Sequence, residues 1–198
     1  MARAVKGVAG HPSEEQSQMG GTLDRVTAAT RYVALLAAMI ATCGSLYFSE
    51  VLGWLPCELC WIQRILMYPL TVILAVGILR NDRGMYWYAL PLSLTGMGFS
   101  LYHYLEVLQV IPPSPCQGGV PCSIDYLTPI LTGPFSFIKI PFLALVAFAI
   151  ISVMMGNYAL AGAPTTPDSA RRSSTLATLA IVGLTVVVFV GLGMAARA

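Results

Sequence analysis

The chain has 198 residues, 57% of them hydrophobic and only 10% charged, with a mean hydropathy of +0.74 and a net charge of +2. Soluble domains are about 45–50% apolar and about 25% charged, so this composition points to an integral membrane protein built from helices of about 20 residues each. It excludes a large water-soluble catalytic domain, a Gly-rich phosphate-binding fold and a basic nucleic-acid platform, and the small net charge says nothing about anionic partners.

In chain order, residues 1–30 are polar and read as a cytoplasmic tail without fixed structure. Five stretches are apolar enough to cross a bilayer: Tyr32–Phe48, Ile62–Leu79, Tyr86–Val110, Phe137–Met155 and Leu176–Met194. Each is expected to be a helix, because a lone strand leaves its backbone polar groups unsatisfied in hydrocarbon. About thirty residues precede the first stretch and no small-residue cleavage pattern follows it, so it reads as a retained anchor rather than a secretory signal. Pro69, Pro91 and Pro141 are expected to mark kinks or contacts within the bundle, and Trp54 and Trp61 suit a membrane interface. The Pro-, Thr- and Ser-rich stretch 156–175 reads as a cytoplasmic linker before the last span.

Lys and Arg stay preferentially on the cytoplasmic side of a membrane. Arg3, Lys6, Arg25 and Arg31 precede the first span, Arg80 and Arg83 lie between the second and third, and Arg171 and Arg172 between the fourth and fifth. Eight of the 11 basic residues therefore share one side, which puts the amino terminus in the cytoplasm. Two segments then face outward, Ser49–Trp61 and Ile111–Ser136, and they hold four of the 5 cysteines as two pairs. The outer face is where disulfides form and persist. The remaining one, Cys43, reads as a small buried apolar side chain of the first helix.

The first pair, Cys57 and Cys60, is a C-x-x-C at the start of the second helix, where the helix dipole and the motif favour a thiolate. Arg64 lies one turn further on the same face, placed either to stabilise a thiolate or bound carbonyl oxygen or to snorkel to the interface. The second pair, Cys116 and Cys122, sits in a loop with Gly118, Gly119 and flanking prolines, suited either to meeting another protein or to stapling the loop. His103, with Glu106 three residues later, stands near the outer end of the third helix, as a packing residue or as a proton carrier. All four outer cysteines could instead hold a structural zinc, but the wide second spacing fits poorly and Arg64 has no part in such a site. No metal is therefore assigned.

The motif Cys57-x-Leu59-Cys60-x-x-Gln63-Arg64 after the first span, with a second cysteine pair after the third, resembles the DsbB family, and more narrowly its BdbC-type branch. The resemblance covers roughly residues 31–155 and implies an all-α four-helix transmembrane redox domain, to which residues 176–198 add a fifth helix. It implies a bacterial cell-membrane thiol oxidoreductase that reoxidises an extracytoplasmic thioredoxin-fold partner of the DsbA/BdbD type and delivers electrons to a quinone, menaquinone or ubiquinone; such relays keep the bacterial periplasm oxidising. By the same resemblance Cys60 is the quinone-side cysteine, Cys57 its partner, Arg64 a quinone contact and His103 a helix-three neighbour of the quinone. Cys116 would then form the mixed disulfide and Cys122 resolve it, roles that the narrower spacing of this pair could exchange. A relative of vitamin K epoxide reductase would carry its quinone-side C-x-x-C in the fourth helix, whereas here it opens the second. The alternative from another class is a non-catalytic membrane protein with a structural zinc or disulfide on its outer face.

Overall fold

The computed structural model describes residues 13–112, 120–127, 133–161 and 168–197, with side chains from residue 29 and, after the last break, from residue 172. Among the described residues the regular structure is all helical, with five long helices: α1 (Ser13–Leu46), α2 (Glu58–Leu79), α3 (Tyr86–Val107), α4 (Ile140–Ala161) and α5 (Asp168–Ala195). Helix α1 runs on into a π-helical turn, Tyr47–Val51, and a short 3₁₀ turn, Gly133–Phe135, precedes α4.

Four helical stretches are long and apolar enough to cross a membrane: Ala29–Val51, Glu58–Leu79, Ile140–Ala161 and Arg172–Ala195. The fifth expected crossing coincides with α3, which matches α2 and α4 at 22 residues but is more polar. Its Ser93, Ser100, His103 and Glu106 are all buried, so the polarity faces inward and α3 is a bundle helix with a hydrophilic seam. The protein is accordingly an all-α, multi-pass membrane bundle. Two boundaries differ from the sequence expectation. Helix α1 begins at Ser13 rather than near residue 31, because Glu14, Glu15, Gln16 and Gln18 are good helix formers even without an apolar face. Helix α4 extends to Ala161 and α5 starts at Asp168, which narrows the expected linker to the residues between them.

Helices α1 to α4 form a closed ring of neighbours, α1 against α2, α2 against α3, α3 against α4 and α4 against α1, while α5 packs outside on α1 and α2. The core is apolar: Leu35, Leu70, Leu74, Met85, Phe148, Ile151 and Met155 are fully buried. Lipid-facing positions are equally apolar, as at Ile65, Val72, Leu184 and Val187, so apolar burial alone gives these helices little reason to associate. Close packing and polar links supply it instead. Ser152 donates to Ser93 at 2.9 Å, joining α4 to α3, and the hydroxyls of Thr42 and Thr71 meet at 2.8 Å between α1 and α2. Gly96 of α3 lies directly under the Phe148 ring of α4. Pro69 and Pro91 sit inside α2 and α3, and buried Pro141 opens α4.

At the end of the bundle carrying the α2–α3 turn, Arg31 is buried, donating from Nη1 to Asn81 Oδ1 at 2.9 Å. Its guanidinium also lies 5.8 Å from the Tyr32 ring and 5.7 Å from the Tyr158 ring. It thereby ties α1 to that turn and to α4, a structural part beyond the topological signal expected of it. The opposite end, where α1 stops and α2 starts, holds Cys57, Cys60 and Cys122.

Candidate active site

Cys57 caps α2. Its backbone is extended (φ −73°, ψ 175°) and its sulfur accepts from the Cys60 backbone N–H at 3.4 Å. A residue in this position meets the positive end of the helix dipole and an otherwise unpaired N–H, which is why a thiolate is favoured there. Both cysteines are free thiols, and their Sγ atoms meet in a hydrogen-bond contact of 3.0 Å. The Cys57 thiol is held far below its usual value, at about 5. The hydrogen bond from Cys60 is the main cause; burial opposes it, and His103 assists through a hydrogen bond.

His103 reaches across from α3 and is buried. The side-chain amide nitrogen of Gln63, one turn below Cys60, lies 3.2 Å from His103 Nδ1. An amide nitrogen only donates, so Nδ1 is the acceptor and the ring proton sits on Nε2. Nε2–H then donates to the Cys122 backbone carbonyl at 3.0 Å, with Cys57 Sγ 3.7 Å away. One imidazole thus touches both cysteine segments.

Cys122 is buried and disulfide-bonded. Cys116, the expected partner-facing cysteine, lies outside the described residues. Cys122 packs with Cys57 and Leu59 in a small cluster edged by Cys60, Ile62 and Val120, so a member of the second pair abuts the first. The segment is held down by aromatic stacking. Tyr126 lies on Trp54 (centroids 5.2 Å, 11° between planes), Trp54 lies on Phe48 (5.1 Å), and Tyr126 Oη donates to the Leu55 carbonyl at 3.3 Å. A Lys139–Asp125 ion pair anchors the same segment to the start of α4.

Beneath this clasp lies a cavity of about 460 Å³. Its walls are mostly apolar, including Ala41, Met67, Ala144, Phe148 and Phe189, and Cys57, Cys60, Gln63, Arg64 and His103 all line it. Arg64 donates from Nη2 to the Ser45 carbonyl at 3.1 Å, and its guanidinium lies over the exposed Trp61 ring at 5.4 Å. Cys43 packs at the edge of the main core and is absent from the cavity lining.

Three features escaped the sequence reading. Gln63 stood in the quoted motif without a role, although its offset of three from Cys60 already put it on the same helix face. The Cys122 contribution through its backbone carbonyl had no signal in residue type. Phe189 brings the fifth helix to the cavity, where its ring lies beside Gly44 of α1.

The four-cysteine zinc alternative is not what the described residues assemble. Cys57, Cys60 and His103 bring their ligand atoms within 4.8 Å of one another, whereas Cys122 is committed to a disulfide.

A membrane bundle with a dithiol at a helix amino terminus, an imidazole beside it and a second cysteine segment packed on top has the features of a membrane thiol oxidoreductase. The family model described as "Disulfide bond formation protein DsbB" matches residues 27–198, and the chain belongs to that family. It is 47% identical over 128 residues to a Bacillus subtilis protein named "Disulfide bond formation protein C", covering 63% of this chain and 88% of that one. A "Probable disulfide formation protein C" of Halalkalibacterium halodurans is 47% identical over 122 residues (60% and 84% covered), and a "Probable disulfide formation protein" of Coxiella burnetii 42% over 136 residues (65% and 88%). These relatives place it in the family's BdbC branch, as a membrane protein of disulfide bond formation. No solved structure matches the chain.

Proposed function

We propose that the protein reoxidises an extracytoplasmic thioredoxin-fold partner of the DsbA/BdbD type and passes the electrons through Cys116–Cys122 and then Cys57–Cys60 to a membrane quinone. The observation that carries this reading is the single cavity onto which Cys57, Cys60, Arg64 and His103 open. Its volume and apolar walls suit a quinone ring, and a few polar groups, among them Gln63, Arg64 and His103, line it, as in ligand pockets generally.

A dithiol that becomes a disulfide gives up two electrons and two protons, and a bound quinone takes up both to leave as quinol. The chain's own residues do the rest. The partner's thiolate attacks the Cys116–Cys122 bond, giving a mixed disulfide on Cys116 and freeing Cys122; the partner's second thiol then releases the partner oxidised. Cys122, packed against Cys57, attacks that sulfur next and Cys60 leaves; Cys116 then attacks Cys122, which frees Cys57 and restores the outer disulfide. With the outer disulfide restored and Cys57 and Cys60 both reduced, the electrons have reached the inner pair. There Cys57 Sγ accepts the Cys60 proton along their 3.0 Å contact, which makes Cys60 the electron donor. Arg64, over the rim at Trp61, holds a carbonyl oxygen of the acceptor, and His103 Nε2–H keeps the two cysteine segments in register.

The redox unit is residues 31–155, and the basic residues on the opposite end favour a cytoplasmic amino terminus with both cysteine segments outside. Cys60→Ser tests the assignment: quinone reduction should be lost while a mixed disulfide with a reduced thioredoxin-fold protein still forms at the outer pair. Normal quinone reduction by that variant would overturn it.

A further inference from the structure

We infer that the reduced Cys57–Cys60 pair and His103 together form a binding site for a thiophilic divalent cation of the Zn²⁺ or Cd²⁺ class, which holds the inner pair reduced. The three ligand atoms, two sulfurs and one ring nitrogen, already lie within 4.8 Å of one another. Two thiolates and one imidazole, with a further position open, form a known zinc ligand set. Tetrahedral geometry with the usual bond lengths needs S–N separations of about 3.5 Å and S–S separations of about 3.8 Å. Cys57 Sγ and His103 Nε2 stand 3.7 Å apart, close to the first value. The sulfurs, at 3.0 Å, must open by less than an ångström, which a small χ1 rotation of Cys60 provides.

The surroundings suit the ion. Metal-bound imidazole usually donates its other ring N–H to a neighbouring group, which fixes the ring. Gln63 stands at Nδ1, 3.2 Å away, and a half-turn of its amide presents the carbonyl oxygen there in place of the nitrogen. The ring proton then moves from Nε2 to Nδ1, and Nε2 exchanges the Cys122 carbonyl for the cation. The cavity beneath leaves room for a water as the fourth ligand. No electron moves in this step: the cation replaces the Cys60 proton, which goes to solvent, and both sulfurs are then thiolates. Disulfide formation needs those same sulfurs, so the metal-bound form cannot pass electrons onward and cannot form when the pair is oxidised. The site requires neither quinone nor partner, so its failure would leave the proposed relay untouched, and failure of the relay would leave the site standing.

The test uses full-length protein in nanodiscs with Cys116→Ser and Cys122→Ser, so that only the inner pair is available, reduced and freed of reductant under anaerobic conditions. Cd²⁺ is titrated in, and thiolate-to-metal absorption reports binding. One Cd²⁺ per chain is expected in the reduced form and none after the pair is oxidised. His103→Ala should weaken binding at least about 10-fold, as losses around metal sites commonly do, whereas His103→Cys, which restores a third ligand, should keep it. The His103→Cys result separates a missing ligand from a misfolded variant. Cd²⁺ bound equally by the oxidised protein, or equal affinity in wild type and His103→Ala, would overturn the inference.

Discussion

A methyl group added at position 96 probes the contact on which the cavity wall depends. A Cβ built on Gly96 would stand 2.3 Å from Cε1, 2.4 Å from Cζ and 2.6 Å from Cδ1 of Phe148. Carbon atoms settle at about 3.5–4.0 Å, so the ring would have to retreat by more than an ångström. Phe148 is fully buried, and the open space beside it is the cavity it lines. Gly96→Ala should therefore do two things. It should destabilise the bundle by about 1–3 kcal/mol, the usual cost of overpacking a filled core. It should also push the ring into the cavity and weaken quinone binding. Reversible unfolding in mixed micelles measures the first effect and quinone titration the second. In a Phe148→Leu background the penalty should shrink by about 1 kcal/mol or more, because the methyl and the ring edge compete for one space. Gly77→Ala is the control: its Cβ would meet Met85 at 2.8 Å from Sδ and 3.0 Å from Cβ, so it should also destabilise the bundle, but without weakening quinone binding, because Met85 does not line the cavity. Wild-type stability in Gly96→Ala, or the same penalty with and without Phe148, would refute the reasoning.

Alkylation of the reduced protein at Cys57 should follow an apparent pKa of about 5, and His103→Ala should raise it, since the imidazole is one of the groups favouring the thiolate. Because that value is depressed, the thiolate's contribution to the reduced fold is fully present above the unfolded thiol's ordinary value near 9.0 and is lost as pH falls through about 5; melting temperatures of the reduced form across that window check the sign. Lys139→Ala leaves Asp125 without its cation in a largely buried place, which should cost about 1–3 kcal/mol and speed proteolysis between α3 and α4. Phe189→Ala removes an aromatic wall of the cavity and should raise the quinone Kd about 2–10-fold, the range of a single aromatic contact, with thiol exchange at the outer pair unchanged.

The place of the first cysteine pair at a helix start was legible because C-x-x-C and a helix start are both local. Spacing of four put Arg64 on the Cys60 face, and apolar runs located α2, α4 and the membrane part of α1 and α5. The polar first turns of α1 were missed because lipid exposure governs only the apolar part of a helix, whereas propensity carries it further. His103 stood out as an ionisable group in an apolar run, but its contacts with Cys57 and the Cys122 carbonyl depend on the register of α2 against α3, which no single segment encodes. The same limit hid Phe189. Its place in the wall follows from α5 packing on α1 and α2, an arrangement that no single segment encodes.

The central claim, that thiol electrons leave through the inner pair to a quinone, is tested most directly by anaerobic stoichiometry. Full-length protein in quinone-loaded nanodiscs is mixed with a reduced thioredoxin-fold dithiol protein, and quinone absorbance and free thiols are followed together. One quinone should be reduced for each dithiol oxidised, and Cys57→Ser/Cys60→Ser should abolish the quinone signal. Dithiol oxidation without quinone consumption, or unchanged quinone reduction in the double variant, would contradict the account.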